Sequence, residues 1–138
     1  MKTRVLALLG TQFVVSVWAI CLDADGRVLL FYHTHDRAHP WGLPSGRVEG
    51  RESPEEAVTR ELREEVGVVA EAGPLLAAFN DGGLAIRLAF LCTLRSHEFR
   101  PSVEVSGWKY VAAPELPESV RPLQRRAIAA ALGGRTSG

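Results

Sequence analysis

In the stretch Gly46-Arg47-Val48-Glu49-Gly50-Arg51-Glu52-Ser53-Pro54-Glu55-Glu56-Ala57-Val58-Thr59-Arg60-Glu61-Leu62-Arg63-Glu64-Glu65-Val66-Gly67-Val68, a glycine loop feeds a helix bearing three carboxylates on one side. Ser53 supplies an N-cap, Pro54 suits the first helical position and Glu56 stands at the capping-box position, so a helix begins at about Pro54. Good helix formers continue to Gly67, which sits where a left-handed C-terminal glycine belongs.

Glu61, Glu64 and Glu65 are spaced i, i+3 and i+4, which places them within an arc of roughly 100°. Val58, Leu62 and Val66 fall on the adjoining face, so the helix buries an aliphatic stripe and turns an acidic edge toward a cleft. Like charges at these spacings repel, and a bound cation offsets the repulsion. Ligation by carboxylates alone points to a hard ion such as magnesium, which shares its remaining sites with water and substrate phosphates. A diphosphate is the natural partner, and metal-assisted hydrolysis is the chemistry such a set supports.

The same run resembles the Nudix box, with Gly46, Glu52, Arg60, Glu61, Leu62, Glu64, Glu65, Gly67 and Val68 filling its fixed positions. The resemblance implies an α/β (α+β) Nudix fold, a mixed β-sheet sandwiched between α-helices. It implies that Glu61, Glu64 and Glu65 coordinate magnesium or manganese and that one of the acidic set deprotonates the attacking water. Arg60 is then expected to orient its neighbours, and Glu52 to support the metal site. The residue before the box glycine commonly offers its carbonyl to a metal; that position is Ser45 here, where many relatives have glycine, and a carbonyl ligand survives the change. A later acidic residue often joins the set, and Glu104 is the candidate, with Glu98 behind it. Arg47, beside the Ser45-Gly46 loop, is placed to bind substrate phosphate with it.

The likeness extends outward from the box. Residues 13–21, the turn Asp23-Ala24-Asp25-Gly26 and residues 27–32 read as strand, tight turn and strand, resembling the family's opening hairpin. Trp41-Gly42-Leu43-Pro44 resembles its approach to the box. Further strands are expected at 75–79, 86–94 and 105–111, with a closing helix at 123–132 and a flexible tail at 133–138.

With 138 residues, 46% of them hydrophobic, residues 1–138 are expected to form one domain. Sixteen basic and sixteen acidic residues balance, which favours a small anionic ligand over extended nucleic acid. Cys21 and Cys92 make no metal or redox spacing and read as buried, reduced thiols. The opening Met1-Lys2-Thr3-Arg4 and the apolar Val5-Leu6-Ala7-Leu8-Leu9 mimic a secretory signal. The run is broken by Gly10-Thr11-Gln12 without a cleavage site, and no stretch reaches membrane-spanning length, so cytoplasmic residence is expected.

His33, His35, His39 and Arg37 cluster before the box, where they either border a substrate or form a polar loop. Tyr32, Trp41 and Phe79 either stack on a base or pack the core, and Arg87 lies on a strand near a glycine turn. Arg121, Arg125 and Arg126 read as solubilising the last helix. The expected activity is magnesium-dependent hydrolysis of a nucleoside diphosphate linked to another moiety, with nucleoside triphosphates foremost. A nucleotide-sensing module without turnover and a hydrolase of non-nucleotide diphosphates stand as alternatives. Family members are often homodimers, yet no segment here marks an interface.

Overall fold

The computed structural model describes residues 10–136, so the signal-like opening and residues 137–138 lie outside it. Among the described residues seven strands and two α-helices follow one another as β1 (Val14–Ile20), β2 (Val28–His33), β3 (Trp41–Gly42), β4 (Ser45–Arg47), α1 (Pro54–Val66), β5 (Ala70–Asn80), β6 (Ala85–Leu94), β7 (Val105–Val111) and α2 (Pro122–Thr136). A 3₁₀ turn, Ala113–Glu115, links β7 to α2.

The strands form a mixed four-stranded sheet in the order β4-β1-β6-β5 and an antiparallel sheet in the order β3-β2-β7. Among the described strands only β1 and β6 run parallel. The opening hairpin expected from sequence divides between the two sheets. Its turn is present, tied by the Asp23 carboxylate to the Arg27 and Asp25 N–H groups, and Leu22 bridges Val28. Beyond that bridge the strands part, because both are buried on both faces and a lone ribbon covers neither.

Alternation along β1 and β2 shows how the helices are held. Val17, Ala19, Leu29 and Phe31 join Ala57, Val58, Leu62 and Val66 of α1 in one apolar cluster. Trp18, Ile20, Val28 and Leu30 join Ala127 and Ile128 of α2 in the other. The helices therefore cover opposite sides of the sheet layer.

Ser53 caps α1 as its sequence demands, accepting from Glu56 N–H at 3.1 Å while Glu56 accepts from Ser53 N–H at 3.0 Å. Gly67 ends it at φ 76°. β5 is longer than expected and slips register around Gly73-Pro74, where proline cannot donate to the ladder. The tail expected from Gly133 is helical as far as Thr136, since glycine costs a formed helix only about 1 kcal/mol per residue and no proline stops it. Replacing Ser53 by Ala is expected to remove about 1 kcal/mol of stability, a fall of roughly 3–5 °C in Tm, with Ser53→Asp restoring most of it in the same thermal melts.

Candidate active site

β4 pairs with β1 through Ser16–Arg47, Val17–Gly46 and Trp18–Ser45, which sets the box loop beside α1. A Cβ on Gly46 would lie 2.0 Å from the Glu61 carboxyl carbon. Space for Glu61, with no positive φ involved, makes glycine necessary at this position.

Arg60 uses all five guanidinium donors. Its Nε and Nη2 grip both oxygens of Glu52 at 2.9 and 2.7 Å, Nη1 reaches Glu61 at 2.9 Å and Glu64 at 3.0 Å, and Nη2 also donates to the Arg47 carbonyl at 2.8 Å. Loop, β4 and helix are joined through one side chain. The Arg60 contact, with the Glu49 N–H behind it, holds the Glu52 carboxyl down at about 2. Arg60 itself is pushed above the usual arginine range, first by Glu52 and then by Glu61.

Glu65 stands in the opposite condition. It is 6% exposed, and its Oε2 is buried without a hydrogen-bond partner. Burial raises its pKa well above the carboxylate range, and the neighbouring Glu61 and Glu104 push it further. Burial also raises Glu61, against the pull of Arg60. Glu104 is exposed and faces Glu61 and Glu65 across the cleft. Thr34 fixes its loop by donating from its hydroxyl to the Val103 carbonyl and from its N–H to the Glu104 carbonyl. Glu98 is exposed and lines no part of this cleft.

Among the described residues no three His, Cys, Asp or Glu side chains are already gathered at metal-ligand spacing. Glu61 and Glu64 turn oxygens to Arg60, and Glu65 Oε2 is left without a partner. The donor set is nonetheless all oxygen, close-set and short of positive charge at Glu65, which suits a hard divalent cation.

The acidic cleft, with Ser45, Gly46 and Arg47 on its wall, adjoins a second cavity of about 470 Å³. His33, His35, Ser45 and Arg87 line both. His33 is buried and kept neutral by burial, donating from Nε2 to the Leu43 carbonyl at 3.1 Å. His39 donates from Nδ1 to the Ser119 carbonyl at 2.6 Å. Trp41 lines the second cavity, whereas Tyr32 meets it edge-on from outside and Phe79 packs at 6.0 Å on Trp18. Arg37 lines neither cavity.

Trp18, Asp36, Asp81 and Gln124, none of them singled out in the sequence as ligand contacts, also line this cavity. Arg121, read as a helix-solubilising charge, also lines the cavity and pairs with Asp36 at 3.0 Å, 85 residues away. No local pattern announces such a contact. Gln124 accepts the Leu43 N–H at 2.8 Å from the buried face of α2.

The family model for the NUDIX domain matches residues 12–131. The chain belongs to the Nudix family. Among relatives, a Nudix-like match to the CTP pyrophosphohydrolase of Escherichia coli (strain K12) is 32% identical over 120 residues, covering 80% of this chain and 89% of that protein. The RNA pyrophosphohydrolase of Pseudomonas aeruginosa (strain UCBPP-PA14) is 32% identical over 123 residues, covering 70% and 75%. A MutT NUDIX hydrolase from Burkholderia pseudomallei superposes with TM-score 0.74 at 28% identity over 86% of this chain and 98% of that one. A NUDIX hydrolase from Nitrosomonas europaea shares the fold at TM-score 0.81 and 21% identity over 94% and 75%. The chain is a Nudix hydrolase.

The raised carboxyls give this Nudix site a pH signature. Glu65 keeps its proton in the folded chain above its ordinary value of 4.5, where the unfolded chain has lost it. Its contribution to stability is complete below pH 4.5 and is lost as pH rises through the raised pKa. Without divalent metal, Tm is expected to fall between pH 5 and 8, and Glu65→Gln to flatten that fall; equal slopes in the two proteins contradict the assignment.

Proposed function

We propose that the chain hydrolyses a diphosphate bond in a nucleoside diphosphate linked to another moiety, with nucleoside triphosphates the main substrate class. The observation carrying this reading is the buried, partnerless Glu65 oxygen in a carboxylate cleft that opens into a cavity bordered by Trp18 and Trp41. The cleft suits a cation and the phosphates it neutralises; the cavity suits a flat base. The similarity to a CTP pyrophosphohydrolase supports the same substrate class.

Magnesium or manganese would be held by Glu61, Glu64 and Glu65, with Glu104 and the Ser45 carbonyl completing the set. Bound there, the ion supplies charge that neutralises phosphate and acidifies water. Arg60 keeps Glu61 and Glu64 in place while Glu52 fixes Arg60. Water adds its oxygen to phosphorus, the bridging P–O bond breaks with its electron pair leaving on the departing phosphate, and one carboxylate of the set takes the water's proton. The Arg47 guanidinium, which makes no ion pair among the described residues, is free to bind a phosphate beside the Ser45-Gly46 loop.

Among the described residues no helix is long and apolar enough to cross a membrane. Cys21 and Cys92 are buried free thiols, which supports a reducing compartment, and we place the protein in the cytoplasm. A panel of nucleoside triphosphates, ADP-ribose, sugar nucleotides and dinucleoside polyphosphates, assayed with magnesium and with manganese, is expected to release a nucleoside monophosphate. Glu64→Gln and Glu65→Gln are each expected to lower kcat by about 10²–10⁴-fold. Metal-dependent nucleotide binding without turnover would instead identify a sensing module, and turnover only of non-nucleotide diphosphates would move the substrate class.

A further inference from the structure

We infer that Arg87, with Ser16 beside it, holds the phosphate that joins the nucleoside to the rest of the substrate; this inference rests on the functional reading above. Ser16 of β1 pairs with Arg47 on β4 and with Arg87 on β6. Directly paired residues project to one face of a sheet, so Arg47, Ser16 and Arg87 form a cross-strand row. All three line the acidic cleft.

Arg87 differs from Arg47 in position. Among the described cationic residues other than histidine, it alone lines both the acidic cleft and the cavity bordered by the tryptophans. A substrate with its base in that cavity and its diphosphate among the carboxylates must pass Arg87 with the phosphate attached to the ribose. Row and carboxylates then neutralise the phosphate chain from two sides, the second through the cation they bind.

The resting state of Arg87 fits an exchangeable clamp. Its Nη2 stands 3.3 Å from Asp81 Oδ2, both side chains are 32% exposed, and its guanidinium lies 5.8 Å from the Trp18 ring centre. A single long contact in a solvated setting is weak, while a phosphate offers the guanidinium two charge-assisted bonds. The Ser16 hydroxyl, on a residue 7% exposed, makes no hydrogen bond to another described residue and is available as a donor beside it.

Calorimetric titration of the four ribonucleoside monophosphates against their nucleosides tests this without catalysis. In the wild type the phosphate is expected to increase affinity, and Arg87→Gln to remove about tenfold to a hundredfold of that gain while nucleoside affinity changes less than twofold. Arg87→Lys, which keeps the charge and loses the fork, should fall between them, and Asp81→Asn should bind the monophosphate more tightly than wild type. KM for the nucleoside triphosphate should rise at least tenfold in Arg87→Gln with a smaller change in kcat. No gain from the phosphate in wild type, or an equal gain in Arg87→Gln and Arg87→Lys, overturns the inference. Wild-type turnover separates the two levels: no nucleotide hydrolysis defeats the functional reading, whereas hydrolysis with an unaltered Arg87→Gln defeats only this assignment.

Discussion

The Arg60 guanidinium is the point on which the site depends. Five donors meet Glu52, Glu61, Glu64 and the Arg47 carbonyl, so the loop, the short strand β4 and helix α1 share one half-buried cation. A carboxylate edge at helical spacing repels itself, and Arg60 compensates two of its members. The third, Glu65, has no such partner and is raised by burial and by its neighbours. Arg60 therefore orders the acidic set without satisfying it, which leaves the remaining demand for positive charge inside the cleft.

The fold supplies what one helix cannot. Sheet pairing carries Ser45, Gly46 and Arg47 alongside β1, and the partition of β1 and β2 between two sheets buries both strands under both helices. That division sets the β2–β3 loop, with His35, Asp36 and His39, against the start of α2. Asp36 to Arg121 and His39 to Ser119 fasten the two together. The second cavity lies between these elements and opens onto the carboxylates.

What could be read from the sequence was local. Ser53, Pro54, Glu56 and Gly67 act within a few residues of themselves, so α1 and its caps were legible to the residue. β1, β2, β6 and β7 were legible as runs of strand-forming residues bounded by turn residues. The need for Gly46 was visible only as a motif, since the atom it makes room for belongs to Glu61. The strands at Trp41–Gly42 and Ser45–Arg47 are too short for periodicity to reveal. Arg121 looked like a helix-end charge because its partner, Asp36, is 85 positions away. Trp18 was legible only as a member of the first strand; it is core on one side, while its indole also borders the cavity.

We propose that Arg60 organises the carboxylates into a cation site by a planar, five-donor arrangement that a point charge cannot reproduce. Manganese affinity measured by water-proton relaxation on wild type and Arg60→Lys, with folding checked by circular dichroism, tests it most directly. Expected is a folded Arg60→Lys protein whose manganese affinity is about 10–100-fold weaker. A folded Arg60→Lys protein with wild-type affinity would contradict the claim.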